Sequence, residues 1–273
     1  MTYFVVVPQW QGSGSARAMR LRDGADIIRG DLPAAKTLLV DVPLGVGDRQ
    51  GSGVHGLTAL QLIAKQTTAA LESLGENALV IGGDCGVELA AIPHALRKTQ
   101  GSMAVLWLDA HPDLNTVQSS PSGAFHGMVL RTLLGEGLLA LLPDRPLQTK
   151  DLVLAGTRAL DEPEAAFVES AGIRVLAPDA LTVESLLDAL TATGARSVYV
   201  HIDLDVLDPG EFAGISYPEP FGVSVAGLLE LIRAVKERFP LAGAAVTEFA
   251  PASPEQAADD LPTILRILGA LNS

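Results

Sequence analysis

"MAVLWLDA", residues 103–110, is apolar at every position until Asp109. A strand with one face in water alternates apolar and polar side chains. A run without alternation reads as a strand covered on both faces, as in a parallel sheet flanked by helices. Seven further runs read the same way: YFVVV (3–7), TLLVDV (37–42), ALVIG (78–82), DLVLAG (151–156), IRVLA (173–177), SVYVHIDLDV (197–206) and GAAVTEF (243–249). Helical spacing of apolar residues lies between them. It runs over 56–74, over 183–193 behind Thr182 as N-cap, and over 224–239 starting at Ser224. Strand and helix thus alternate, which predicts an α/β fold with a mostly parallel sheet and helices on both sides. No linker or low-complexity segment interrupts the series, so residues 1–273 are expected to form a single domain.

Composition narrows the function classes. The 273 residues are 48% hydrophobic, enough for a sizeable core without structural metals or disulfides. A single cysteine, Cys85, leaves no internal disulfide, which fits a cytoplasmic protein. The start MTYFVVVPQWQG lacks a basic segment followed by a long apolar one and reads as a first buried strand. No run of eighteen apolar residues predicts a membrane span. A formal net charge of −13 argues against nucleic acid as partner. Part of that charge is instead concentrated where ligands bind an open α/β sheet, just beyond the carboxyl ends of the strands.

Two constellations stand there. "LWLDAHPDLN" (106–115) places Asp109, His111 and Asp113 two residues apart, on one face for as long as the backbone stays extended. "VYVHIDLDVLDP" (199–209) places Asp203 and Asp205 likewise, with Asp208-Pro209 read as the following turn and His201 as a buried, hydrogen-bonded histidine. Adjacent carboxylates beside an apolar strand repel unless a cation neutralises them. Four carboxylates and an imidazole suit hard or borderline dications, with Mn²⁺ a good candidate, and carboxylates can bridge two such ions. Such a pair lowers the pKa of a shared water enough to supply hydroxide near neutral pH.

With these residues in place, the chain resembles the ureohydrolase family of arginase, agmatinase and formimidoylglutamase. The matching pieces are GGDCG (82–86), DAHPDLN (109–115), SGAFHGM (122–128), DLDVLDP (203–209) and EFAP (248–251), in the family's order and at similar spacing. The resemblance implies a three-layer α/β/α fold with a central sheet of about eight strands and a binuclear manganese centre. It places Asp109, His111, Asp113, Asp203 and Asp205 as metal ligands, with Asp109 and Asp203 bridging the ions. A hydroxide bridging the two ions would attack the guanidinium carbon, with Asp113 orienting it, and collapse of the tetrahedral intermediate would release urea and an amine. His126 matches the family's proton shuttle, and Glu248 the glutamate that pairs with the guanidinium. Trimers or hexamers are common in the family, though the C-terminus LRILGALNS (265–273) carries no strong interface signal.

The same resemblance bears on the substrate. Asn115, Ser120 and Ser122 suit a carboxylate, and Asp161 and Glu164 in "GTRALDEPE" (156–164) suit an ammonium, which favours L-arginine over agmatine. Ala124 departs from the asparagine typical of arginases and leaves another guanidino acid open. Cys85 stands where the family has a metal-binding histidine, with Gly82 and Gly83 allowing the turn that presents it. As a ligand it would favour Co, Fe or Zn over Mn at that position; as a packed thiol it would leave a weaker site. Two other readings stay open: an agmatinase- or formimidoylglutamase-like hydrolase, and a ureohydrolase-like binding protein with weakened metal affinity.

Overall fold

A computed structural model of the chain describes residues 3–75 and 77–272; Met1, Thr2, Glu76 and Ser273, which include both ends of the terminal segments read above, lie outside it. Its strands are β1 (Tyr3–Val7), β2 (Thr37–Leu39), β3 (Ala78–Gly82), β4 (Met103–Leu108), β5 (Leu152–Ala155), β6 (Arg174–Leu176), β7 (Ser197–Asp203) and β8 (Leu241–Thr247). They form one eight-stranded sheet in the order β2-β1-β3-β8-β7-β4-β5-β6. Every pairing is parallel, which sharpens the expected mostly parallel sheet.

The eight α-helices described are α1 (Met19–Gly30), α2 (Leu57–Leu74), α3 (Glu88–Lys98), α4 (Val129–Leu133), α5 (Glu162–Ala171), α6 (Val183–Ala192), α7 (Val225–Arg238) and α8 (Pro254–Asn272). Successive strand residues feed opposite cores. Phe4 and Val6 of β1 pack with α1, α6, α7 and α8, whereas Val5 and Val7 pack with α2, α3 and α4. This is the three-layer α/β/α arrangement, and it explains the unalternating strands. Each fully buried Val, Leu or Ile contributes roughly 1.5–3 kcal/mol, so both faces reward an apolar residue. The capping residues also act as expected: Thr182 Oγ1 accepts from Ser185 N at 3.1 Å, and Ser224 Oγ from Gly227 N at 3.1 Å. Among the described residues no helix is long and apolar enough to cross a membrane.

The apolar runs overshoot the strands at one end, and the reason is chemical. β4 stops at Leu108 and β7 at Asp203, where a 3₁₀ turn over Leu204–Val206 begins. The Asp203 carboxylate accepts from Asp205 N at 2.8 Å and Asp109 from His111 N at 2.6 Å. Side chain to backbone bonds of this kind replace the sheet ladder. The four strands β3, β8, β7 and β4 are neighbours at the middle of the sheet. Their carboxyl ends carry Cys85, Glu248, the 203–205 pair and the 109–113 segment, so topology alone gathers the charged residues.

Candidate active site

Three sets of ligand-type atoms lie within 4.8 Å of one another: Asp109, His111 and Asp205; Cys85, Asp203 and Glu248; and Cys85, Asp109 and His201. Asp109 joins the first set to the third, and Cys85 the second to the third. His111 Nδ1 lies 2.9 Å from Asp205 Oδ2 and 3.7 Å from Asp109 Oδ1. Cys85 Sγ lies 3.2 Å from Asp203 Oδ2. The 109–113 segment is not extended, contrary to the alternation expected for it. Asp113 adopts φ 51° and belongs to none of these three sets among the described residues; it lines the cavity beside them. Glu248 likewise sits at φ 65°. Left-handed backbone at two site carboxylates is strain of the kind that concentrates at functional sites.

Electrostatics points to cations. Burial and the neighbouring charges of Asp205, Asp109 and Glu248 push the Asp203 pKa well above the carboxylate range. Burial and Asp109 do the same to Asp113, and burial and Asp109 raise Asp205 to about 6. Asp109 goes the other way: burial favours its neutral form, but hydrogen bonds and charges of His111 and His201 hold it below the usual range. The His111 pKa, which burial alone would lower, is pushed up to about 12 by Asp109 and Asp205. Burial and the surrounding carboxylates push the Cys85 thiol up. Asp113 Oδ2 and Glu248 Oε2 are buried and have no hydrogen-bond partner among the described residues. Orphaned carboxylate oxygens in a buried, mutually repelling acidic cluster fit a site for dications and a cationic ligand.

Above this floor opens a cavity of about 400 Å³. Asp113, His126, Asp203, Asp205 and Glu248 line it together with Asn115, Ser120, Ser122, Ala124, Asp161 and Glu164. The residues expected from the sequence to bind metal, move protons and hold substrate therefore meet in one place, with Asp109 and Cys85 buried beneath. His126 Nδ1 is 3.5 Å from Glu248 Oε1. Burial alone would lower the His126 pKa, but that carboxylate raises it. Ala124 is 2% exposed, and Gly14 packs so closely that a Cβ there would lie 3.1 Å from its methyl group. The acidic loop has internal partners of its own. Both oxygens of Glu164 accept backbone N–H groups, from Leu114 and from Asp161, each at 2.9 Å. Asp161 is the N-cap of α5 and accepts from Asn115 Nδ2 at 2.9 Å.

Several contributors escape the sequence reading because they act through distant segments. Asp84 is buried and accepts from Gln9 Nε2 (2.7 Å), Gly12 N (2.8 Å) and Gly86 N (2.8 Å), tying the loop after β1 to the Cys85 turn. Gly83 is needed for close approach, not for a left-handed turn: a Cβ there would lie 1.6 Å from Gln9 O. Arg158 gathers backbone carbonyls from two loops, with Nη2 at 2.9 Å from Asp205 O and 2.8 Å from Glu219 O. Tyr217 lines the cavity with its ring centroid 5.1 Å from that of His126. The signals were a short polar loop after a strand and a lone arginine beside one, both weak by themselves. His201 is buried and hydrogen-bonded as expected, at 2.8 Å from Glu88.

Known proteins carry the same plan. The sequence pattern described as the Arginase family matches residues 17–263. The Nω-hydroxy-L-arginine amidinohydrolase of Streptomyces lavendulae is 36% identical over 203 residues, which cover 72% of this chain and 70% of that protein. The arginase of Staphylococcus aureus is 32% identical over 163 residues, covering 56% of this chain and 53% of that one. The crystal structure of Entamoeba histolytica arginase in complex with L-ornithine superposes with a TM-score of 0.87 at 20% identity, over 99% of each chain, which speaks to the fold. The chain belongs to the arginase family, the ureohydrolases that act on a linear amidine carbon–nitrogen bond.

Proposed function

We propose that the chain hydrolyses the guanidino group of an amino acid, with L-arginine and its Nω-hydroxy derivative as the leading substrates. The products would be L-ornithine with urea or with hydroxyurea. The observation that supports this most directly is the single cavity whose floor is the acidic cluster and whose wall carries Asn115, Ser120 and Ser122. Asp109, His111, Asp113, Asp203 and Asp205 would hold two dications, with Cys85 contributing on the β3 side. Manganese is the first expectation, and Co, Fe or Zn the alternatives at Cys85. When bound, such ions supply hydroxide at neutral pH.

The chain's own groups do the rest. Glu248 Oε2 has no partner among the described residues and would take up the guanidinium, whose planar donors make the pairing directional. Asp113 Oδ2, also unpartnered, would orient the attacking oxygen. His126, beside Glu248, would hold a proton at neutral pH and pass it to the leaving amine. Asn115, Ser120 and Ser122 would receive the substrate carboxylate, and Asp161, held in place by Glu164, would take its ammonium. A small amino-acid substrate and a homo-oligomer, trimer or hexamer, in the cytoplasm complete the proposal.

The test is product release by protein loaded with Mn, Co, Fe or Zn: urea from arginine and agmatine, hydroxyurea from Nω-hydroxy-arginine and formamide from formimidoylglutamate. Turnover of an amino-acid substrate above agmatine supports the reading. No release from any guanidino compound by protein that elemental analysis shows to be loaded would sink it.

A further inference from the structure

His201 is built as more than a core histidine. Its side chain is 0% exposed, and its ring stacks on Trp107 with centroids 3.6 Å apart and 20° between the planes. Nδ1 lies 2.8 Å from Glu88 Oε1, and the other oxygen of that carboxylate accepts from Tyr199 OH at 2.8 Å. A carboxylate accepts, so Nδ1 carries the hydrogen toward Glu88, and a cation arriving at Nε2 would displace the proton that faces Asp109 there and take the lone pair. That lone pair faces Cys85 Sγ at 3.7 Å and Asp109 Oδ2 at 3.9 Å. Glu88, Tyr199 and Trp107 fix the ring so that it cannot turn away.

We infer that His201 Nε2 is a direct ligand, with Cys85 Sγ and the carboxylates of Asp109 and Asp203, of the ion on the β3 side. This half of the centre is then a sulfur–imidazole–carboxylate site that selects zinc or cobalt(II) over manganese. The inference rests on the reading above that these residues hold an ion.

Three observations carry it. A histidine that ligates a metal characteristically donates its other N–H to a carboxylate, as His201 does to Glu88. Sulfur and nitrogen ligands at about 2.3 and 2.0 Å from one ion, at a tetrahedral angle, stand about 3.5 Å apart, close to the spacing found. The third is clustering: Cys85, Asp109 and His201 are all buried and offer ligand atoms within 4.8 Å of one another. Thiolate plus imidazole is softer than an all-oxygen set, which sets the metal preference.

The test is cobalt(II) titration of chelator-treated, full-length protein, without substrate. Thiolate-to-cobalt charge-transfer absorption reports the Cys85 side alone, and equilibrium dialysis counts the ions. Wild-type protein should bind two ions, with the absorption present and zinc displacing cobalt more readily than manganese does. His201→Gln should lose one ion at the same free cobalt, or shift the absorption midpoint by at least 10-fold. Glu88→Gln, which keeps the packing volume, should weaken the midpoint about 10–100-fold. Folding of both variants is checked by circular dichroism. Charge-transfer absorption that is absent from two-ion wild-type protein overturns the inference, as does an unchanged midpoint in Glu88→Gln or in folded His201→Gln. Because no substrate is present, the two readings fail separately. Absence of the absorption from wild-type protein that does release urea sinks only the His201–Cys85 site, and normal binding without any hydrolysis sinks only the activity.

Discussion

Glu164→Gln separates a strut from a substrate contact. In the structure both carboxylate oxygens are committed, one to Leu114 N and one to Asp161 N, and the residue is 4% exposed. Glutamine offers one oxygen. Whichever way its amide turns, one buried N–H loses its acceptor and meets an NH₂ group. A hydrogen bond to a charged acceptor contributes about 1.5–3 kcal/mol, so the substitution should cost about 2 kcal/mol of stability. For a chain of this length that corresponds to a fall of about 4 °C in Tm. The effect should also reach the acidic cluster, because Leu114 follows Asp113 directly and the 113–115 loop would lose its tether to α5. The assay is thermal unfolding of chelated and metal-loaded protein, with KM for arginine measured in parallel. A strut predicts a lowered Tm in both forms and weaker ion retention. A Tm within about 1 °C of wild type, together with a KM raised tenfold or more, would refute the structural account and leave Glu164 as a contact to the substrate.

Three further outcomes are expected. In Glu248→Gln the amide oxygen should turn toward Cys85 N and His126, leaving NH₂ groups to face the guanidinium; loss of a buried charge-assisted pair of about 3 kcal/mol predicts roughly a 100-fold fall in kcat/KM, with metal content unchanged by elemental analysis. Ala124→Asn adds an amide at the cavity wall, and one new hydrogen bond of about 1.4 kcal/mol predicts a tenfold lower KM for arginine but not for agmatine, unless crowding against Gly14 raises both. Asp113→Asn should act in opposite directions: the metal-free protein becomes more stable to urea because a buried repelling charge is gone, while metal retention falls. The accompanying pH dependence follows from Asp205, whose folded pKa of about 6 lies above its unfolded value of 3.8. Its favourable contribution is complete below the unfolded value and is lost as pH rises through about 6. Metal-free wild-type protein should therefore be less stable at pH 7.5 than at pH 5, and a bound ion should remove the difference; urea melts at the two pH values, with and without chelator, measure both.

The layers and the ligand side of the sheet were legible because they follow from burial. A strand covered on both faces has no reason to alternate, and the positions just past its end are where charged groups can reach an opening. The runs misreport where each strand stops, since Asp203 and Asp109 bind their own backbone two residues on and end the ladder themselves. The acidic and imidazole groups were readable as residue types near the sheet's ligand side, although the backbone over 109–113 is not extended and Asp113 stands outside the three ligand sets. What stayed hidden were the groups whose partners lie far along the chain. Asp84 holds Gln9 and Gly12, Arg158 holds carbonyls of 205 and 219, and Glu88 holds His201. A short-range pattern carries no signal for bonds that span 47 to 113 residues.

Bonds of this kind, together with local ones, also explain how a sheet can place so many carboxylates side by side before any ion arrives. Trp107 Nε1 donates to Asp109 Oδ2 at 3.0 Å, Ala110 N to Asp205 Oδ1 at 3.0 Å, and three donors converge on Asp84. Each bond fixes a carboxylate in direction and partly replaces the water it has lost. Asp113 Oδ2 and Glu248 Oε2 are the exceptions, and both belong to residues in left-handed backbone. Strain and unmet hydrogen-bonding capacity thus fall on the same two side chains, while their neighbours are satisfied. A scaffold evolved for stability alone would relax both at once with an asparagine or a glycine. Retaining them preorganises charge for ligands that bring their own positive charge, so stability yields to binding at these two positions and almost nowhere else in the cluster.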